Sequence, residues 1–399
     1  MRRWRAEFAR HLKEGILDFW LAHAVDRERG GFHGVVSREG RAEPAAYRSL
    51  VLEARAVWTF SAAYRCFPRD EYRDAAAHGL QYLNERFWDS SKGGWFWSVK
   101  ASGEVLDDRK HLYAQGFALY GLSEYYRAFG DKAALSRALD TFTLLDRMAH
   151  DDSSGGYEES FTRDWKPETR HNPIGVAGLK STNTHLHLLE PFSNTVRAGG
   201  AAAAKVRERL EELYGLFFRR IADPAGFGHE FFRPDWTPVG EGTSYGHDVE
   251  GAWLIREAAE ILGRPDDPQC TAIAQALIER ALKYGYDHAA GGLWERGPAE
   301  GPATKKTKTW WAQAEMLVAL LEIYGLTRDA RHLDTFEGLL RWILTTLYDA
   351  EFGEWFQTVR EDGSVDRAWK ITPWKCPYHN ARACLECIRR LDMVPGLDI

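Results

Sequence analysis

His247 and Glu250 stand three residues apart in Ser244-Tyr-Gly-His-Asp-Val-Glu250, at the start of an apolar run from Val249 to Leu262. On a helix that spacing puts an imidazole and a carboxyl on one face, directed at the same point. Comparable clusters recur along the chain: Arg55; His111, Tyr113 and Gln115; Asn183, His185 and His187; Trp310, Trp311 and Glu315; Trp374, Tyr378, His379 and Asn380. Imidazoles change charge near neutral pH, so several of them in one cleft suit proton transfer. Two histidines on opposite sides of a bound carbon acid would remove a proton with one ring and return one from the other, inverting the centre. A helix N-terminus disfavours the charged imidazole and keeps a base neutral. Arg55, permanently charged and forked, suits the oxyanion of the intermediate. Trp311 and Trp374 offer flat apolar faces for a sugar ring. His185 and His187 lie about 200° apart around a helix, so one faces the cleft and the other packs between layers; the spacing does not say which. Three histidines and a carboxylate would also bind zinc, but the i, i+4 spacing usual for helical metal sites is absent, and no metal is expected.

These residues need elements that bring them together. The pattern Asp-x-x-x-Gly-Gly begins at Asp26, Asp89, Asp151 and Asp287, with looser copies at Asp223 and Asp349. Six copies spaced 62 to 72 residues apart suit a pair of helices plus a loop in each repeat. Before each turn lies a charged segment with one apolar stripe: Trp4 to Trp20, Tyr72 to Trp88, Ala133 to Met148, Val206 to Ile221, Ala272 to Tyr284 and Leu333 to Leu347. After each turn comes a short aromatic piece such as Gly94 to Val99, and then a more apolar helix. The apolar helices are expected at Ser49 to Tyr64, Tyr113 to Tyr126, Thr184 to Val196, Asp248 to Leu262, Trp311 to Tyr324 and Tyr378 to Leu391. Six inner helices inside six outer ones bury both layers as an all-α (α/α)6 barrel, a single catalytic domain over residues 1–399 with short hairpin-like loops at the site end. The inner N-termini then open at one end, onto one cleft. An open solenoid of helical pairs would instead spread the clusters along a groove. Pro191, inside the third inner helix, is expected to kink it.

A net charge of -6 with pI near 6.2 gives no basic footprint and argues against nucleic acid or an anionic membrane as partner. Sixteen tryptophans fit an aromatic core or a sugar-lined cleft. Five scattered cysteines make a disulfide framework improbable and point to a reducing, cytoplasmic setting; Cys384-x-x-Cys387 lies inside a helical pattern without a second pair. Met1 to Trp20 reads as an amphipathic helix and not a signal peptide, and no stretch reaches the length of a membrane span.

The motifs Asn183-Thr-His-Leu-His187-Leu-Leu-Glu190, Ser244-Tyr-Gly-His247-Asp-Val-Glu250, Trp310-Trp311-Ala-Gln-Ala-Glu315 and Trp374-Lys-Cys-Pro-Tyr-His379-Asn380 resemble the N-acylglucosamine 2-epimerase superfamily, and within it the cellobiose 2-epimerases. Arg109-Lys-His111-Leu-Tyr113-Ala-Gln115 and Ala54-Arg55 support the likeness, which covers nearly the whole chain. The resemblance implies an (α/α)6 barrel and a cofactor-independent isomerase that inverts C2 of a reducing-end glucose or mannose unit, as a monomer or homodimer. It implies His247 and His379 as the acid/base pair, His187 assisting ring opening and Arg55 stabilising a cis-enediolate. Asn183, Tyr113, Glu250, Trp311 and Trp374 would bind the sugar, and His111 and Glu315 join them as candidates. The segment Thr162 to Ser181, with Pro167, Pro173, Gly175 and Gly178, departs from the loop typical of cellobiose epimerases; such a loop is where substrate length would be read. Epimerisation of free mannose and glucose, or isomerisation of mannose, is the nearest alternative. A barrel glycoside hydrolase would use Glu250 with Glu315 or Asp248. A non-catalytic sugar-binding protein would need the aromatics but not the histidines.

Overall fold

In a computed structural model that describes residues 2–393, thirteen α-helices alternate between two layers. They are α1 (Arg2–Arg10), α2 (Asp18–His23), α3 (Leu50–Cys66), α4 (Asp70–Tyr82), α5 (Leu112–Phe129), α6 (Lys132–Ala149), α7 (Thr182–Gly199), α8 (Ala204–Leu216), α9 (Tyr245–Ile261), α10 (Pro268–Arg280), α11 (Trp310–Thr327), α12 (Ala330–Trp342) and α13 (Tyr378–Met393). A π-helical stretch, His11–Leu17, joins α1 to α2 into one outer helix. The odd-numbered helices from α3 to α13 form the inner layer, nearly all buried over their first three turns. Consecutive inner helices pack against each other around the ring, and α13 packs back on α3. The ring is closed, so the fold is an (α/α)6 barrel and the open solenoid is excluded. Among the described residues no helix is long and apolar enough to cross a membrane.

The same closure appears in the loops. The short strand leading into each inner helix pairs antiparallel with the strand that follows the next repeat's turn: Arg48–Ser49 with Ser98–Val99, Lys110–His111 with Ser160–Phe161, Lys180–Ser181 with Phe231–Phe232, Thr243–Ser244 with Arg296–Gly297, and Thr307–Thr309 with Thr358–Arg360. The sixth pair joins the ends of the ring, Trp369–Ile371 with Val36–Ser37. These strands stitch the ring at the inner N-termini.

Each turn is held to its inner helix by a buried polar bond. The backbone N–H just past the turn donates to a side chain one turn into that helix: Phe32 to Glu53 (3.0 Å), Trp95 to Gln115 (2.9 Å), Tyr157 to His185 (3.1 Å), Gly228 to Asp248 (2.9 Å) and Leu293 to Gln313 (2.7 Å). In the sixth repeat Glu354 accepts from Trp355 and is held by Asn380. Glu354 replaces the second glycine and adopts φ 60°, the left-handed conformation of Gly94 in the second turn (φ 74°). A cation ahead of the inner helix pairs with the turn aspartate in five repeats: Arg48 with Asp26, Lys110 with Asp89, Lys180 with Asp151, Lys308 with Asp287 and Lys370 with Asp349.

The helix at Pro191 does not end: α7 continues to Gly199. Pro191 has no N–H for the His187 carbonyl. A Cβ at Gly116 would lie 2.6 Å from that oxygen, so the glycine lets α5 close on it.

Burial pushes the Glu53 carboxyl up to about 8 from an ordinary 4.5. The unfolded chain gives up that proton first, so the stability it confers is full below pH 4.5 and is lost as pH rises through 8. Glu53→Gln keeps the acceptor used at Gln115 and removes the titration. The variant should gain on the parent by up to about 4 kcal/mol between pH 5 and pH 8 in denaturant unfolding; a gap that stays constant with pH would show that Glu53 ionises freely.

Candidate active site

The inner N-termini open onto a cleft of about 380 Å³. Arg55 comes from α3, Tyr113 from α5, Asn183 and His187 from α7, His247 and Glu250 from α9, Trp311 from α11, His379 from α13 and Trp374 from the loop before it; all line the cleft. The helix-start signals place them: Ser49, Ser181 and Ser244 cap α3, α7 and α9 through their hydroxyls, which fixes where each first turn begins. His187 faces the cleft, and His185 is the one between layers. His185 donates from Nδ1 to the Ser181 carbonyl (2.8 Å) and accepts the Tyr157 N–H at Nε2, so its tautomer is set by its neighbours.

Two of the expected site residues stand behind the cleft wall. His111 Nδ1 accepts the Tyr113 N–H (3.3 Å) and its Nε2 donates to Asn172 (2.9 Å). Glu315 lies beneath His379, its Oε1 2.7 Å from Nδ1 of that ring. Glu315 also accepts from Trp253 Nε1 (3.0 Å) and Arg382 (2.8 Å).

Arg382, fully enclosed, is the hub under the histidines. Its guanidinium bonds Glu190, Glu250 and Glu315, and the Tyr378 hydroxyl bonds Glu190 as well. Arg382 draws the Glu190 carboxyl down to about 2 against the cost of burial. Glu250, buried and beside Glu315, is pushed well above the carboxylate range and holds its proton. Its Oε2 bonds no protein group and lies 3.9 Å from His187 Nε2. A neutral carboxylic acid at the cleft is a donor for a sugar hydroxyl.

The three cleft histidines differ in their support. His187 Nδ1 is 3.2 Å from Glu190, and His379 Nδ1 is bonded to Glu315. Among the described residues no side chain bonds the His247 ring, which lies against Trp311 at a centroid distance of 4.9 Å. The other side-chain contact of Trp311 in the cleft is His379, 5.7 Å away, so one indole touches both rings. Burial holds His247 down to about 3 and His379 well below its usual range, the latter helped by Arg55 and Arg382. Both are therefore neutral at pH 7, the state a base needs. Arg55 donates to the Tyr113 hydroxyl (2.8 Å) and stacks on Phe117 at 4.0 Å, and its Nε bonds no protein group.

Two sets of groups approach closely enough to share a cation: His187, Glu190 and Glu250, and Glu250, Glu315 and His379. Arg382 already bonds every carboxylate in both sets, so a guanidinium occupies the role of the ion. Asp248 turns away from the cleft to Gly228 and Thr243, and Glu250 and Glu315 share one arginine. No pair of these carboxylates is placed across a cleft as a glycosidase needs.

Sequence spacing missed Glu295, Arg296, Pro173 and Ile174, which also line the cleft. Arg296 lies on the strand stitched to Thr243–Ser244 with Glu295 just before it, and Pro173 and Ile174 lie on a loop, so none belongs to an inner N-terminus. Arg382 and Glu190 did carry a signal: Arg382 follows Tyr378 by four residues, and Glu190 repeats after His187 the spacing of Glu250 after His247.

A profile of the N-acylglucosamine 2-epimerase (GlcNAc 2-epimerase) family matches residues 30–383. A cellobiose 2-epimerase of Bacteroides fragilis is 36% identical over 391 residues, covering 96% of this chain and 98% of that protein. The solved structure of cellobiose 2-epimerase from Bacillus thermoamylovorans B4167 superposes with a TM-score of 0.92 at 33% identity, covering 98% of this chain and all of that one. A D-mannose isomerase structure, 24% identical with a TM-score of 0.87, shares the fold over 98% of both chains. With a family match over most of its length and relatives above 30% identity along nearly all of it, the chain belongs to the N-acylglucosamine 2-epimerase family.

Proposed function

We propose that the protein is a cellobiose 2-epimerase that interconverts glucose and mannose at the reducing end of a disaccharide. The observation that carries this reading is the pair of neutral imidazoles, half-buried His247 and buried His379, packed on one indole in a solvent-open cleft that Arg55 also lines. The C2 proton is acidic only beside a free carbonyl, so the ring opens first, assisted by His187. One of the two neutral imidazoles takes the C2 proton and Arg55 holds the oxyanion of the cis-enediolate; the other ring, charged by a proton from solvent beside that anion, returns it to the opposite face, and the first ring then releases its proton to solvent. Deprotonation and reprotonation at one carbon balance without a redox partner or cofactor. Glu250 donates to a hydroxyl, while Tyr113, Asn183, Trp311 and Trp374 bind and orient the sugar. Delivery of the proton to C1 would instead give the ketose, the outcome named by the mannose isomerase relative. The five cysteines are free thiols, which supports a cytoplasmic setting.

The test is NMR in D2O with chelator present, in separate incubations with cellobiose and mannose. Deuterium at C2 of a newly formed epimer is expected, fastest from cellobiose. His247→Ala and His379→Ala should each lower exchange by about 10²-fold or more while the circular dichroism spectrum stays unchanged; full activity in either variant, or dependence of the parent on metal, would overturn the mechanism.

Glu315→Gln should lower kcat by about 10² to 10⁴-fold with little change in KM, because an amide no longer fixes and stabilises the His379 ring as a carboxylate does. Steady-state kinetics on cellobiose decides this, and an unaltered kcat would reduce Glu315 to a packing group.

A further inference from the structure

The segment from Thr162 to Gly178 is held in two different ways. Its first half is clamped to the second turn: Arg163 donates to both oxygens of Asp89 (2.8 and 3.1 Å), and the buried Trp165 donates from Nε1 to the Lys92 carbonyl (3.2 Å). Its second half carries Pro173 and Ile174 into the wall of the cleft. Behind that half lies a second cavity of about 150 Å³, lined by Glu159, Asn172, Gly178 and Lys180. Packing beneath it is therefore incomplete, with Ile174 alone of that half resting against the core.

Asn172 fixes that half. Its Oδ1 accepts from the N–H groups of Ile174 (3.0 Å) and Gly175 (2.9 Å), which shapes the tip, and from His111 Nε2 (2.9 Å), which anchors it to the barrel. Because His111 Nδ1 accepts the Tyr113 N–H, the ring's single proton is on Nε2 and points at Asn172. Burial holds His111 neutral down to about 4, so this donor is constant across any assay range. The same imidazole packs on Trp97 (5.7 Å), and Trp97 packs on Trp374 (5.9 Å). One buried histidine thus braces both the loop and the tryptophan at the cleft mouth.

We infer that the His111–Asn172 bond is a specificity-determining brace: it holds Pro173 and Ile174, with Trp374, as an apolar outer wall for the second ring of a disaccharide. This rests on the epimerase reading above. His187, Arg55 and His379 are at most 4% exposed, whereas Trp374 is 38% exposed, so a reducing unit seated at the histidines leaves its glycosidic partner at the mouth. Proline and a β-branched residue make a stiff wall that loses little freedom on binding. A single sugar ring seated at the buried histidines lies inward of the exposed Trp374, so the wall is read chiefly by the second ring.

The experiment is steady-state epimerisation by the parent, Asn172→Ala and Ile174→Ala, with cellobiose and with mannose. Both variants should raise KM for cellobiose about tenfold with kcat within twofold, and change kcat/KM for mannose less than twofold. Ile174→Val keeps a β-branched apolar wall and should restore the parent's KM. If mannose is inert with the parent, the split between KM and kcat on cellobiose decides alone. Equal losses on both sugars, a fall in kcat at constant KM, or no change in either variant would overturn the brace. A parent inert on both sugars would remove the epimerase reading itself, and a parent that handles mannose as well as cellobiose would show that no outer wall is read.

Discussion

A backbone N–H just past each turn is buried beyond the reach of water and must find an acceptor, and in five of the six repeats the inner helix supplies one from its first turn. That bond sets the height of each such helix against its turn. Glutamine does it best, because Gln115 and Gln313 also donate to the carbonyls of Trp95 and Leu293, closing a two-bond ring. Where the position is filled by another residue, the choice has consequences. In the third repeat it is His185, and the demand of the Tyr157 N–H decides that His187, two positions on, is the ring directed at the cleft. In the fourth it is Asp248, the residue directly after His247, whose commitment to Gly228 and Thr243 leaves the preceding imidazole facing the cleft.

Under the cleft, the balance is electrostatic. A lone buried guanidinium would be costly, and so would three buried carboxylates; together they are tolerable because Arg382 reaches all three. One cation cannot hold three anions ionised, so a proton remains, and Glu250 keeps it because it has the least compensation. The same arrangement gives His187 and His379 a carboxylate each and leaves His247 with an aromatic face alone. The two rings of the proposed acid/base pair are thus unequal in surroundings although they occupy equivalent places in the repeat.

The barrel was legible because its turns need the left-handed backbone and so write glycine into the sequence at a fixed distance from aspartate. The reading is weakest where the physics is met otherwise: Glu354 takes that conformation without being glycine, and the fourth turn reaches its glycine one residue early. The inner helices were placed to within a few residues, since a ring buried on all sides leaves long apolar runs. Of the aromatic piece Gly94 to Val99 only Ser98–Val99 forms a strand, because each stitch needs just a short ladder. His111 and Glu315 were read as sugar ligands since helix position gives direction but not depth. The loop Thr162 to Ser181 is singled out by sequence but its cleft-facing residues Pro173 and Ile174 are not, because a loop without periodicity is shaped by bonds to residues far along the chain, such as Asn172 to His111.

The inner helices pack side by side between successive repeats, and among the described residues α13 packs back on α3 to span the whole ring. The outer layer closes in the same place: Trp20 donates to Glu354 (2.8 Å) and Trp355 to His11 (2.7 Å). Yet α13 carries His379, Tyr378 and Arg382. Without α13 the carboxylates of Glu190, Glu250 and Glu315 have no guanidinium between them, and one ring of the proposed acid/base pair is missing. Turnover in this protein is therefore a report on closure of the ring, because the site is complete only when the last repeat has met the first.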